Sequence, residues 1–174
     1  MPKIYIAYGS ESGNAHTLAH ELKQKLAAFK PNYGCLNELL IENMQQWDKN
    51  TLLFVISSTT GDGEPPHNAT VFYQNLIQTR MQQRMKPDTP KFGFQYAVFG
   101  IGDVNYLNFC GFSKVVDGLL DKAGANRIAN RVDADVDYEA FFEQWSDALL
   151  SFLCDESNAT DLLSNLTLQV DPNQ

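Results

Sequence analysis

Apolar and polar positions along this chain fall into two alternating patterns. Short apolar runs are separated by longer stretches in which apolar residues recur every three or four positions. The first pattern reads as strands buried on both faces, the second as amphipathic helices. Lys3-Ile4-Tyr5-Ile6-Ala7-Tyr8 is the first strand, and Ala15, Leu18, Ala19, Leu22, Leu26 and Phe29 mark one helical face that Pro31 stops. A short strand near Gly34-Cys35-Leu36 follows, then a loop or helical turn through Trp47. Leu52-Leu53-Phe54-Val55-Ile56 is the third strand. Pro65-Pro66 bars helix, so the next helix starts at His67-Asn68 and reaches Arg80; Met81 to Pro90, polar and proline-bounded, reads as a loop. Phe92 to Phe99 is the fourth strand, and Phe112, Val115, Val116, Leu119, Leu120 and Ala123 the next helix, with Gly124 placed for a left-handed C-cap. Asn126 to Val132 reads as the fifth strand. Tyr138, Phe141, Phe142, Trp145, Leu149 and Phe152 mark the last helix, with Asp135 or Asp137 as its N-cap.

Strand and helix thus alternate about five times, the signature of an α/β fold. The expected architecture is a three-layer sandwich, a five-stranded parallel sheet with helices on both faces joined by right-handed crossovers. Residues 1–154 form that domain, and Asp155 to Gln174 form a polar tail with one weak apolar patch, Leu162 to Val170. Composition adds bounds. With 174 residues, 44% of them hydrophobic, one domain with a sizeable core is expected. A net charge of −8 argues against nucleic acid and for a basic protein partner. No apolar run is long enough to span a membrane. The first strand begins without a basic-then-apolar leader, and Cys35, Cys110 and Cys154 are odd in number with no C-x-x-C spacing. Together these predict a cytoplasmic monomer with reduced thiols and no structural metal. The three N-x-T sequons, at Asn68, Asn158 and Asn165, read as chance.

The chemistry sits where three strands end. The first runs into Gly9-Ser10-Glu11-Ser12-Gly13-Asn14-Ala15, a strand-to-helix turn whose free N–H groups favour an anion. Lacking the lysine and the spacing of a nucleoside-triphosphate loop, and the G-x-G-x-x-G of a dinucleotide loop, it suits a single terminal phosphate held by neutral donors. The third strand ends in Ser57-Ser58-Thr59-Thr60-Gly61-Asp62-Gly63, rich in hydroxyls, with a glycine whose peptide turns over cheaply. The fourth ends in Gly100-Ile101-Gly102-Asp103-Val104-Asn105-Tyr106-Leu107-Asn108-Phe109-Cys110, which supplies aromatics suited to stacking on a planar ring. A phosphate loop, peptide donors and an aromatic platform describe a site for a phosphorylated flat heterocycle. A receiver domain would need an acceptor Asp where Ser57-Ser58-Thr59 stands. A hydrolase elbow G-x-S-x-G fails, because Glu11 holds the central place.

These loops resemble those of flavodoxins, and more closely the FMN domain of diflavin reductases, with the nearest likeness to the flavoprotein subunit of sulfite reductase. Ser12-Gly13-Asn14-Ala15, Ser58-Thr59-Thr60-Gly61-Asp62-Gly63-Glu64-Pro65-Pro66, Gly102-Asp103 through Tyr106 to Phe109-Cys110, and Arg131 to Tyr138 carry the resemblance. Short bacterial flavodoxins share Ile56-Ser57-Ser58-Thr59 and Phe109-Cys110-Gly111. The strand order 2-1-3-4-5, with the crevice between strands one and three, is borrowed from this likeness, since flavodoxin is itself the general example of that order. The resemblance implies FMN as cofactor. Ser10, Glu11, Ser12, Gly13, Asn14 and Ala15 would wrap its phosphate, and Ser58, Thr59, Thr60 and Gly61 would line one side of the ring. Ile101, Gly102, Asp103, Tyr106, Asn108, Phe109 and Cys110 would line the other, with Tyr106 stacked and the Gly61 carbonyl turning toward flavin N5. Thr60 stands where many diflavin reductases carry an aromatic, so stacking on one face is expected. Glu11 stands where Gln is common and adds charge near the phosphate.

The implied role is a one-electron shuttle between a flavin or iron–sulfur reductase and an acceptor enzyme, docking on redox partners with basic surfaces. With Asp62, Glu64 and Asp103 near the ring and no basic residue in the three loops, the second electron is expected at low potential. With no FAD or NADPH module in this sequence, the expectation is an electron carrier rather than a stand-alone enzyme, or the FMN module of a reductase. The alternatives are a binding or regulatory module of the same fold and an FMN-dependent quinone reductase.

Overall fold

A computed structural model describes residues 1–154 and shows one parallel sheet covered on both faces. Its strands are β1 (Lys3–Gly9), β2 (Asn32–Cys35), β3 (Thr51–Ser58), β4 (Gln95–Ile101), β5 (Asn126–Arg127) and β6 (Val132–Ala134). The order is β2-β1-β3-β4-β5, with β6 also pairing β4, so the expected winding is present. Ile6, Phe54 and Ala97 stand in register across the middle of the sheet. At its carboxyl edge Gly9, Ser57 and Gly100 are level, so three loops leave side by side.

The helices are α1 (Asn14–Lys25), α2 (Ile41–Met44), α3 (Thr70–Met85), α4 (Gly111–Lys122) and α5 (Glu139–Cys154). Strand alternation sorts β3 between two cores. Leu52, Phe54 and Ile56 pack with Leu18 and Leu22 of α1 and Phe142, Trp145 and Leu149 of α5. Leu53 and Val55 pack with Phe72 and Leu76 of α3 and Phe112, Val116 and Leu120 of α4. Every β3 residue from Thr51 to Ser57 is buried, as a central strand with no polar alternation requires.

Several boundaries differ from those the pattern predicts. The first helical face breaks after Lys25 into a 3-10 turn, Ala27–Phe29, which Lys30 closes at φ 50. Helix α3 continues to Met85, because Met81, Gln82, Gln83 and Arg84 are good helix formers and only Pro87 bars continuation. Phe92 and Phe94 are buried, yet the strand begins at Gln95. The last predicted strand is two short ones. Between them the chain leaves the ladder, and Arg127 and Arg131 both reach Asp117 of α4, with Nε–Oδ1 and Nη1–Oδ2 distances of 2.8 Å each. Asp117 is buried and also accepts from Tyr96 Oη at 3.1 Å, so its charge is matched twice and hydrogen-bonded. Asp135 accepts from Val104 N–H at 3.2 Å, and Tyr138 gives its carbonyl to the Phe142 N–H that opens α5. The C-cap at Gly124 is as expected: φ is 112, with Gly124 N–H on Asp121 and Ala125 N–H on Leu120, a Schellman pair. The Asp155 to Gln174 tail lies outside the described residues. No helix among the described residues is long and apolar enough to cross a membrane.

Candidate cofactor site at the strand tips

The three loops that leave the level edge enclose a cleft of about 390 Å³. It is lined by Ser12 and Asn14 from the first loop, Ser58, Thr59, Thr60 and Gly61 from the second, and Ile101, Gly102, Asp103, Tyr106, Asn108, Phe109 and Cys110 from the third. Each of these stands among the residues expected from the sequence. Ser10, Glu11, Gly13 and Ala15 are not among the lining residues, and Ala15 is buried in the core.

The first loop is built backward from its helix. Gly13, at φ 96, ends the loop in the left-handed region, and its N–H donates to Ser10 Oγ at 2.9 Å. That leaves the amides at the start of α1 facing outward beside Ser12 and Asn14. Glu11 turns away from the cleft. Its Oε1 accepts the His67 N–H at 2.7 Å and its Oε2 lies 3.0 Å from His67 Nδ1. These two bonds hold its carboxyl below the usual range. The charge expected beside the phosphate is therefore engaged elsewhere.

The second loop is a tight turn. Gly63 N–H donates to Thr60 C=O at 3.2 Å, and Thr60 and Glu64 exchange N–H···O bonds of 2.9 and 2.8 Å. Gly61 occupies its first central place at φ 48, where a side chain would be strained. The third loop folds over it. Asn108 Nδ2 donates to Asp62 C=O at 2.7 Å, and Gly102 N–H to Ala134 C=O at 2.8 Å. A Cβ at Gly102 would sit 2.9 Å from Cys110 Sγ and from the Phe109 ring, so only glycine permits that fold. Cys110, buried at φ 53, has its thiol pushed up to about 12, chiefly by burial and then by Asp133. It packs the loop and is no nucleophile.

The donor set fits a flavin mononucleotide. One wall has amides at a helix N-terminus with a hydroxyl and an amide side chain. The opposite wall has Tyr106, 59% exposed, and Phe109, half-buried, both from the third loop. The wall between them carries the hydroxyls of Ser58, Thr59 and Thr60 and the Gly61 peptide. No lining residue is basic. Two neighbours of the site had no signal in the sequence. Lys114 places Nζ 5.6 Å from the Phe109 ring centroid, and Asn68 Oδ1 accepts the Ser10 N–H at 2.8 Å. In the sequence Asn68 stands out only as part of a chance sequon and at a helix start, neither of which points to the first loop. Among the described residues no group of His, Cys, Asp and Glu side chains could hold a metal ion.

The protein-family model described as Flavodoxin matches residues 6–145. The flavoprotein alpha-component of NADPH sulfite reductase from Klebsiella pneumoniae is 36% identical over 146 residues, which is 83% of this chain and 23% of that protein. Its counterpart from Yersinia enterocolitica is 35% identical over 150 residues, 86% of this chain and 24% of that protein. The chain spans about a quarter of the length of the curated relatives it matches. Among solved structures, a short-chain flavodoxin associated with a bacterial microcompartment superposes with a TM-score of 0.66 at 22% identity, covering 94% of this chain and 97% of the other. That likeness is one of fold.

Proposed function

Because this chain belongs to the flavodoxin family, we propose that it carries single electrons by binding FMN in the strand-tip cleft. The observation that supports this most is the lining itself. Three loops brought level by the sheet supply neutral anion donors, hydroxyls and two aromatics around one space, with no basic side chain.

FMN, when bound, supplies a ring that takes up electrons singly or in pairs. The residues do the rest. Ser12, Asn14 and the first amides of α1 bind the phosphate. Tyr106 covers the ring while its hydroxyl stays wet, and Phe109 backs it. Thr59 is fixed by its N–H to Ile101 C=O at 3.2 Å and its Oγ1 to the Phe112 N–H at 3.3 Å, which aims the second loop at the ring. Gly61 supplies a rim peptide that turns at low cost, and so a carbonyl to accept a ring N–H. Asp103 lines the cleft, and Asp62 and Glu64 are exposed beside it, so added negative charge on the ring is opposed. The electron donor in this reading is a flavin or iron–sulfur reductase, and the acceptor an enzyme that docks through basic side chains.

The test is the visible spectrum of the purified protein and its affinity for FMN against riboflavin. Each charge-assisted hydrogen bond contributes roughly 1.5–3 kcal/mol. Losing two or three should weaken binding at least ~100-fold, at ~1.4 kcal/mol per tenfold. A colourless protein that binds both flavins equally would remove the assignment.

A further inference from the structure

Resting on the FMN reading above, we propose that His67 and Asn68 form a clasp that holds the phosphate loop in its anion-accepting shape. They are positioning residues of the site and touch no ligand themselves.

In the loop between Gly9 and Asn14, Ser10 and Glu11 are both held by the His67-Asn68 segment. The Ser10 N–H donates to Asn68 Oδ1 at 2.8 Å, across 58 residues of sequence. Ser10 Oγ in turn accepts the Gly13 N–H, which sets the left-handed turn before α1. Glu11 is bound twice by His67, through the backbone N–H at 2.7 Å and through Nδ1 at 3.0 Å. A Cβ on Gly9 would sit 3.2 Å from Ala69 Cβ, so the two segments are already in close contact. What remains free to face the cleft is Ser12 and Asn14, the two first-loop residues that line it.

The clasp is itself braced. Asn37 Nδ2 donates to His67 C=O at 3.3 Å, and Asn37 Oδ1 accepts the Phe72 N–H at 3.0 Å. The Ala69 N–H bonds back to Pro66 C=O at 2.9 Å. Pro65 and Pro66 keep the segment from running into α3 early, so a 3-10 turn at His67–Ala69 presents two adjacent groups to the loop. A loop that binds an anion through neutral amides depends on their aim, because no flexible cation is there to compensate.

The experiment compares FMN and riboflavin dissociation constants, by flavin fluorescence quenching, in wild type, N68L, E11L and E11Q. E11L and E11Q are both uncharged and similar in size. E11Q keeps an acceptor for His67 N–H and a donor for Nδ1, whereas E11L keeps neither. The preference for FMN over riboflavin should fall about tenfold or more in N68L and E11L, with riboflavin affinity unchanged, and should persist in E11Q. General loosening of the fold would weaken both flavins together, and that result overturns the clasp. So does an unchanged preference in N68L, or equal values for E11L and E11Q. Should N68L not fold, the Glu11 pair decides, since that side chain is exposed at the surface. A wild type without preference for FMN overturns the cofactor reading itself. A wild type that prefers FMN and variants that match it overturn only the clasp.

Discussion

Tyr106 is exposed at the rim, anchored by the turn in which its N–H meets Asp103 C=O at 3.0 Å. Its neighbours Val104 and Leu107 are exposed too, so the loop spends apolar surface on the solvent side of the cleft. Tyr106→Ala should cost about 0.5–1.5 kcal/mol of FMN affinity beyond the buried area and shift the visible bands, read by titration and absorbance. Cys110 shows the opposite case, a polar atom absorbed by packing. Its raised pKa means that its proton is held more tightly in the folded state. The stability from its burial is present below the ordinary thiol value and fades as pH rises toward about 12. Iodoacetamide near pH 8 should therefore label the exposed Cys154 and leave Cys110 unlabelled until denaturant is added, as mass spectrometry of the folded and unfolded protein can read. From sequence alone Tyr106 and Cys110 were both candidates for the same loop lining. Burial, which the sequence does not state, separates a ring cover from a packing thiol.

At the scale of elements, two glycines of similar surroundings have opposite meanings. A Cβ at Gly13 or at Gly118 would meet nothing within 4 Å. Gly13 is at φ 96 and joins the phosphate loop to α1, while Gly118 lies inside α4. Gly13→Ala should destabilise by about 1–2 kcal/mol through backbone strain alone. Gly118→Ala should stabilise by about 0.5–1 kcal/mol, since helix interior disfavours glycine. Urea unfolding of the two variants checks both signs. The β5–β6 break belongs to this scale as well. Periodicity read Asn126 to Val132 as one strand because its apolar residues fit a sheet. Asp117 draws Arg127 and Arg131 across instead, at 10 and 14 residues' separation, and no local pattern encodes that pairing.

For the whole molecule, the excess of acidic residues gives a long-range field that the cleft shares. If partners dock through basic surfaces, association rates with a cationic redox protein should fall steeply between low and ~0.15 M salt, while FMN affinity changes little. Stopped-flow reduction at several ionic strengths measures this, and a flat rate would show that the charge serves solvation alone. The sheet order also lives at this scale. Alternating strands and helices indicated a parallel sheet, but the winding came from family likeness, and the register of Gly9, Ser57 and Gly100 came only from the fold.

What the sequence determined by itself was local. Apolar spacing set which segments are strands and which are helices, and small polar residues at three strand ends marked where a ligand could be gripped, because burial and backbone geometry act within a few residues. The tertiary structure alone decided which of those groups face the cleft, that Glu11 turns to His67, that Asn68 holds Ser10, and that Lys114 lies over the Phe109 ring. These contacts join loops distant in sequence. They exist because crossovers lay the strand tips side by side, and a hydrogen bond of under 3 Å forms only once that has happened.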